Sequence, residues 1–237
     1  MSFRNQITFD SNAAYEDYAS HPDSVPAQEI TDIVLIGSID EAPWISNFSN
    51  LVALTVETDK IIEIGDFLTN QLRFLDLNRQ GLISMSRFWN SPLKLEGFSL
   101  SNSAKSSQDF SKLRWQVRSL VLSGPSERSL DFPQIGSVST LKLVRSSRDI
   151  SLANVAKAVN LEKLLLVGLR GRITELEHLS ACKVLTEIAI TGGAWHSGLE
   201  EITKIPSLRN VVFVNVRQLP QLVLDELDHR GVRVEVL

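Results

Sequence analysis

The chain has 237 residues, of which 43% are apolar and 22% charged, and its formal net charge at pH 7 is −4. These proportions are typical of a folded globular protein and exclude a chain too polar to bury a core. The small acidic excess argues against nucleic-acid binding, because neutralising phosphates requires clustered Lys and Arg. An acidic protein instead attracts a basic protein partner electrostatically.

The cysteine content and the N-terminus bear on the compartment. Cys182 is the single cysteine of the sequence, so no disulfide can form within the chain. The first ten residues hold no apolar run of the kind found in signal peptides. No stretch of the sequence approaches the ~18–20 apolar residues that span a bilayer. These features predict a cytoplasmic protein in a reducing environment, without membrane contact.

Residues 1–29 are polar and irregular, with acidic side chains at Glu16, Asp17 and Asp23. From residue 30 onward, the pattern apolar-x-x-apolar-x-apolar recurs at intervals of 21 to 24 residues. The first apolar positions of its nine copies are Ile30, Leu51, Leu72, Leu95, Val117, Val138, Leu161, Leu185 and Leu208. Such even spacing over most of a chain indicates a repeat protein.

The pattern resembles the leucine-rich-repeat family, whose unit of 20–29 residues reads L-x-x-L-x-L-x-x-N-x-L. The resemblance implies an α/β solenoid, a right-handed arc of about ten parallel strands with helices or irregular turns on its convex side. It divides the chain into an N-terminal cap at 1–29, repeats at 30–216 and a capping helix and strand at 217–237. A final helix is indicated by Leu222, Leu224 and Leu227.

The ninth position of each repeat departs from the family pattern. The family places Asn or Cys there, whose side chain satisfies backbone groups in the turn. This sequence instead has Ser38, Asp59, Gln80, Ser103, Pro125, Ser146, Leu169, Gly193 and Val216. We therefore expect irregular repeats whose turns are satisfied in another way.

The third, fifth and seventh positions of each repeat point outward from the strand, onto the concave face. In the later repeats they form a partly apolar surface beside two lysines, which is typical of a protein-binding site. The alternative is that β-branched residues favour strands whatever faces them. The predicted partner-binding residues on this face are Phe74, Asp76, Asn78, Val121, Lys142, Val144, Lys163, Leu165, Val167, Glu187 and Val212.

The four tryptophans, Trp44, Trp89, Trp115 and Trp195, fall outside the strand cores. We interpret them mainly as packing residues of the convex layer. Trp195 is added to the predicted partner-binding residues, because it lies in a glycine-rich loop and Trp is over-represented at interface hot spots.

No constellation of catalytic residues stands out. The glycines around Trp195 lack P-loop spacing, and the four histidines and Cys182 lack metal-ligand spacing. The sequence therefore predicts no enzyme, no catalytic or metal-binding residue and no cofactor.

Two functions remain open on the sequence. In size, class and expected compartment the chain resembles several bacterial immunity proteins, which implies an inhibitor that covers a cognate basic toxin or enzyme with its concave face. The alternative is a structural adaptor or scaffold subunit of a larger protein assembly. The oligomeric state stays open, since an exposed strand at either end offers a surface for a second copy.

Overall fold

The computed structural model describes residues 5–21, 24–37, 39, 42–58, 71–78, 92–101, 114–124, 134–145, 149–192 and 198–237. The chain forms two compact units, Met1–Ser106 and Ser107–Leu237. Each unit is built around a parallel sheet whose strands follow one another in chain order.

The sheet of the first unit contains five strands. They are β1 (Gln6–Phe9), β2 (Asp32–Gly37), β3 (Ala53–Thr58), β4 (Phe74–Asn78) and β5 (Lys94–Ser101). Helix α1 (Asn12–Ser20) follows β1, and short 3-10 helices lie at Ala27–Glu29 and Pro43–Asn47. The Ser11 side chain accepts the backbone N–H of Ala14, which caps the start of α1.

Strand β1 falls inside the segment predicted as an N-terminal cap and adds a strand before the first recognised repeat. It pairs in parallel with β2, with Ile7 opposite Ile33 and Phe9 opposite Leu35. Its sequence keeps the two inward apolar positions of the repeat but lacks the first one. The assignment of residues 1–29 as a cap stays a prediction.

An aromatic cluster packs around Phe9 of β1. The rings of Tyr15 and Trp44 stack with centroids 4.3 Å apart, and both approach the buried ring of Phe9 edge-on. Tyr18 stacks on Phe48 at 5.9 Å, and Trp44 donates its ring N–H to the Asn12 side chain. No residue of α1 is fully buried. These aromatic contacts are therefore what holds α1 against the first repeats.

The sheet of the second unit contains six described strands. They are β6 (Gln116–Ser123), β7 (Thr140–Val144), β9 (Lys163–Val167), β11 (Glu187–Thr191), β12 (Asn210–Val214) and β13 (Arg233–Val236). Two short strands, β8 (Ile150–Ser151) and β10 (Ile173–Thr174), pair with each other outside this sheet. Apart from the β8–β10 pair, the described residues thus form eleven parallel strands, where about ten were predicted; β1 accounts for the difference.

The inward positions of the repeats form the core. Along β7 and β9, Leu141, Leu143, Leu164 and Leu166 are at most 1% exposed, while the residues between them are half-buried. A strand alternates its faces with a period of two, so the apolar pattern sends one set inward in every repeat. Each unit therefore has the architecture of a leucine-rich-repeat solenoid, as the sequence predicts.

The segments opposite the sheet of the second unit are 3-10 helices. They lie at Ile135–Ser137, Ala153–Lys157, Leu176–Ala181 and Leu199–Lys204. The apolar spacing in these stretches predicts helical packing, and Val155 and Ala158 are indeed fully buried, but Val159 is 59% exposed. The 3-10 helix ends at Lys157, so Val159 lies beyond it and is not held on its buried face.

The turns after the strands are satisfied by the eighth position of the repeat. In the second unit the backbone N–H of each eighth residue donates to the carbonyl of the seventh residue in the next repeat. These bonds run from Gly124 to Val144, Arg145 to Val167, Gly168 to Thr191, Gly192 to Val214 and Asn215 to Leu237, at 2.7–2.8 Å. All five donors have left-handed backbone angles, with φ between +52° and +71°. These backbone hydrogen bonds satisfy polar groups of the turn, which is the role of the ninth-position Asn in the leucine-rich-repeat family.

The second unit ends in α2 (Gln221–His229) and β13. The helix buries Val223 and Leu227, which lie one turn apart, whereas Leu222 is 78% exposed. The predicted final helix is present, although its packing face uses Val223 in place of Leu222. None of the helices in the described part of the chain has the length and apolar content required to cross a membrane.

Candidate functional site

The outward face of the second unit forms a regular grid, because its strands pair in parallel without a shift in register. The fifth positions run side by side across the sheet as Val121, Lys142, Leu165, Ala189, Val212 and Glu235. The third positions run parallel to them as Ser119, Thr140, Lys163, Glu187, Asn210 and Arg233. The seventh positions are Ser123, Val144, Val167, Thr191 and Val214.

Apolar side chains are contiguous in this grid. Leu165 lies between Lys142 and Ala189 in one row, and Val144 lies beside Val167 in the next. We call the following half-buried residues the apolar strip: Val121, Val144, Leu165, Val167, Ala189, Val212 and Val214. Their remaining exposed surface faces away from the core, where another molecule can cover it.

The charges on this face differ in how they are neutralised. The ammonium of Lys163 lies 2.9 Å from a carboxylate oxygen of Glu187, and that ion pair raises the pKa of Lys163. Arg233 and Glu235, two residues apart on β13, pair at 2.7 Å. Lys142, on β7, forms no ion pair with any residue that the structure describes.

The outward face of the first unit carries the other three predicted residues, Phe74, Asp76 and Asn78, which lie on β4 and are all half-buried. The amide of Asn78 donates to Asp76 and to Glu57 on the neighbouring strand, each at 3.2 Å. Glu57 was not among the predicted site residues. Its position, seventh in the preceding repeat, is the sequence signal that places it beside Asn78.

Burial raises the pKa of the Asp76 carboxyl above its ordinary value, and the charge of Glu57 adds to the rise, whereas hydrogen bonds from Ser99 and Asn78 oppose it. One carboxylate oxygen of Asp76, Oδ1, is buried without a hydrogen-bond partner among the described residues. This face therefore holds a negative charge that its own surroundings stabilise poorly.

The predicted partner-binding residues thus divide between the two units. The second unit brings together Val121, Lys142, Val144, Lys163, Leu165, Val167, Glu187 and Val212 on one face. Trp195 lies outside the described residues, as does Trp89. Trp115 is fully buried just before β6, which fits a packing role, while Trp44 belongs to the N-terminal aromatic cluster.

The single cysteine belongs to the core. Cys182 is fully buried, and its thiol donates to the carbonyl of Val155 at 3.4 Å. Burial raises the pKa of this thiol to about 11, so it stays protonated near neutrality and is a weak nucleophile. Within the described ranges, no three or more His, Cys, Asp or Glu side chains come together to hold a metal ion.

Comparison with models of known protein families gives no match, and no curated protein matches the sequence. Among solved structures, internalin C2 from Listeria monocytogenes is similar to this chain, with 14% sequence identity over 89% of this chain and 82% of that one, at a TM-score of 0.48.

Proposed function

We propose that this chain is a non-catalytic protein-binding module that uses the outward face of its repeats. The observation that supports the proposal most is the apolar strip of the second unit, with Lys142 and the Lys163–Glu187 pair beside it. Seven apolar side chains on an outward sheet face are more than solubility alone requires. An apolar centre bordered by charged groups is the usual composition of a protein interface.

We further propose that the module is an inhibitor of the immunity-protein kind, which covers the active surface of a basic toxin or enzyme. Regularly spaced parallel strands present a broad, preorganised surface, so little conformational entropy is lost when a partner binds. The acidic groups of the first unit, Glu57 and Asp76, suit a partner with basic residues.

The test begins with capture of the partner from the native source on the immobilised protein. The comparison variant changes Lys142, Lys163 and Leu165 to Glu. Truncating or reversing central contacts costs at least ~2 kcal/mol at a hot spot, or roughly thirtyfold in affinity. We expect one stoichiometric partner that the variant no longer retains, and whose enzymatic activity falls when the wild-type protein is added.

A matched control carries the same charge changes on the opposite side of the unit, with Lys157, Lys183 and Val159 changed to Glu. All three are exposed, and circular dichroism checks that both variants fold. Retention of the partner by the outward-face variant together with loss in the control would place the binding surface on the 3-10 side. Capture of a partner without any effect on its activity would contradict inhibition but leave the binding module intact.

A further inference from the structure

Lys142 occupies an unusual place on the outward face of the second unit. It is half-buried on β7, with Val121 opposite on one side and Leu165 on the other. Its nearest neighbours in the grid, along and across the strands, are Thr140, Val144, Val121, Leu165, Ser119, Ser123, Lys163 and Val167. None of these eight is acidic, and one carries the same charge as Lys142.

The nearest acidic side chain in this grid, Glu187, already forms an ion pair with another lysine. Glu187 lies on β11, two strands away from β7, and its carboxylate pairs with Lys163 at 2.9 Å. Lys163 thus separates Glu187 from Lys142. Among the described residues the ammonium of Lys142 therefore has no counter-charge, and it is solvated by water.

Covering the apolar strip removes that water. An ammonium withdrawn from solvent without a counter-charge is strongly disfavoured, so a partner that buried Lys142 against Val and Leu alone would bind poorly. A partner that supplies a carboxylate at this point converts the same residue into an attractive and selective contact.

We infer that the partner of this face inserts an acidic side chain, Asp or Glu, at Lys142, with apolar side chains around it that cover Val144, Leu165 and Val167. This inference rests on the proposed function and specifies the chemistry of the partner at one point. A partner that is basic overall satisfies it by carrying a single carboxylate at the centre of the contact.

The surroundings favour a carboxylate over a phosphate. A phosphate group carries close to two negative charges and three acceptor oxygens, which call for several cationic donors. Around Lys142 the remaining neighbours are four aliphatic side chains and three hydroxyls, and Lys163 is already paired. One ammonium matches one carboxylate.

The test uses phage-displayed random peptides of twelve residues, selected on the full-length wild-type protein. An extended peptide of this length reaches about 40 Å, more than the roughly 24 Å that the six strands span at ~4.8 Å spacing. Selected peptides are then measured against Lys142→Arg, Lys142→Met, Lys142→Glu and Leu165→Glu. Met keeps the length and apolar stem of Lys and removes only the charge.

We expect peptides lost on Leu165→Glu to share an Asp or Glu flanked by apolar residues. Their affinity should fall more than about tenfold on Lys142→Met and further on Lys142→Glu, and should be largely kept on Lys142→Arg. A second selection on Lys142→Glu should enrich Lys or Arg at the same peptide position.

The outcomes that would contradict the inference can be distinguished from those that would contradict the proposed binding face. Peptides that Leu165→Glu abolishes but Lys142→Met leaves unchanged overturn the inference and leave the outward face as a binding surface. Peptides that neither Leu165→Glu nor the Lys142 variants affect contradict both the proposed face and the inference. Peptides that carry two adjacent acidic residues, both of which are needed for binding, overturn the single-carboxylate contact.

Discussion

Two charged side chains on the outward faces, Asp76 and Lys142, are poorly compensated by their own surroundings. Asp76 is half-buried near Glu57 and has one buried oxygen without a donor among the described residues. Lys142 has no acidic neighbour in the grid. Side chains that cost stability in the isolated protein are common at functional sites, because the binding partner supplies the counter-charge or hydrogen bond that the fold lacks.

This view predicts that Asp76→Asn stabilises the protein at pH 7. The pKa of Asp76 is raised in the folded state, so the folded chain holds the proton more tightly than the unfolded chain. The resulting stability is fully present below the unfolded pKa and is lost as pH rises through the folded one. Urea unfolding should therefore give Asp76→Asn a higher free energy of unfolding than wild type at pH 7. The difference between the two proteins should be smaller near pH 3.

The control is Asp225→Asn, which makes the same chemical change at an exposed carboxylate on α2. It should alter stability little at either pH. A variant at Asp76 that is less stable than wild type at pH 7 would mean that the carboxylate is better solvated than its contacts indicate.

At the scale of the element, the repeat turn depends on its eighth residue. That residue donates a backbone hydrogen bond to the next repeat and holds a left-handed φ, which is +61° at Gly168 and +52° at Arg145. Glycine adopts this conformation without strain, whereas other L-residues pay roughly 1–2 kcal/mol. The turn thus keeps the same geometry with either residue, at different conformational cost.

Gly168→Ala should lower the free energy of unfolding by about 1 kcal/mol. A Cβ at this position would lie 3.8 Å from the Arg145 side chain, an ordinary contact, so the loss is conformational and not steric. Arg145→Gly, the converse change one repeat earlier, should leave stability unchanged or slightly increase it. Urea unfolding of both variants, followed by circular dichroism, measures the two free energies of unfolding. Equal losses of stability in the two variants would show that the stability of the turn does not depend on φ.

At the scale of the whole molecule, charge is segregated along the chain. The first unit has 7 Lys and Arg against 14 Asp and Glu, a net charge of −7, and the second has 17 against 14, a net charge of +3. The overall value of −4 conceals this polarity. A basic partner is therefore attracted more strongly to the first unit than to the second.

Association with a basic partner should accordingly depend on salt and on which unit loses negative charge. Raising ionic strength from 20 to 500 mM should lower the association rate constant about tenfold, with little change in dissociation. Asp17→Lys with Glu29→Lys, in the first unit, should slow association more than Glu200→Lys with Glu226→Lys in the second. Stopped-flow measurement of the association rate constants tests this. Equal slowing by the two double variants would mean that only net charge matters, and a rate that does not depend on salt would contradict a basic partner.

The sequence by itself determined the repeat, the parallel strands and the side chains that face inward or outward. These follow from an apolar spacing that each strand carries locally, since alternation with period two assigns every residue to a face. Leu164 and Leu166 are buried and Leu165 is half-buried for that reason alone. The same rule brought eight predicted partner-binding residues onto one face of the second unit.

Only the tertiary structure decided which polar groups meet. Lys163 pairs with Glu187, 24 positions along the chain, while Lys142 has no carboxylate partner among the described residues. The eighth-position ladder and the pairing of β1 with β2 were likewise decided there. Such contacts join residues of different repeats and depend on register, turn conformation and side-chain reach, none of which a single repeat encodes; the recurring glycines at Gly124, Gly168 and Gly192 are the one sequence trace of them.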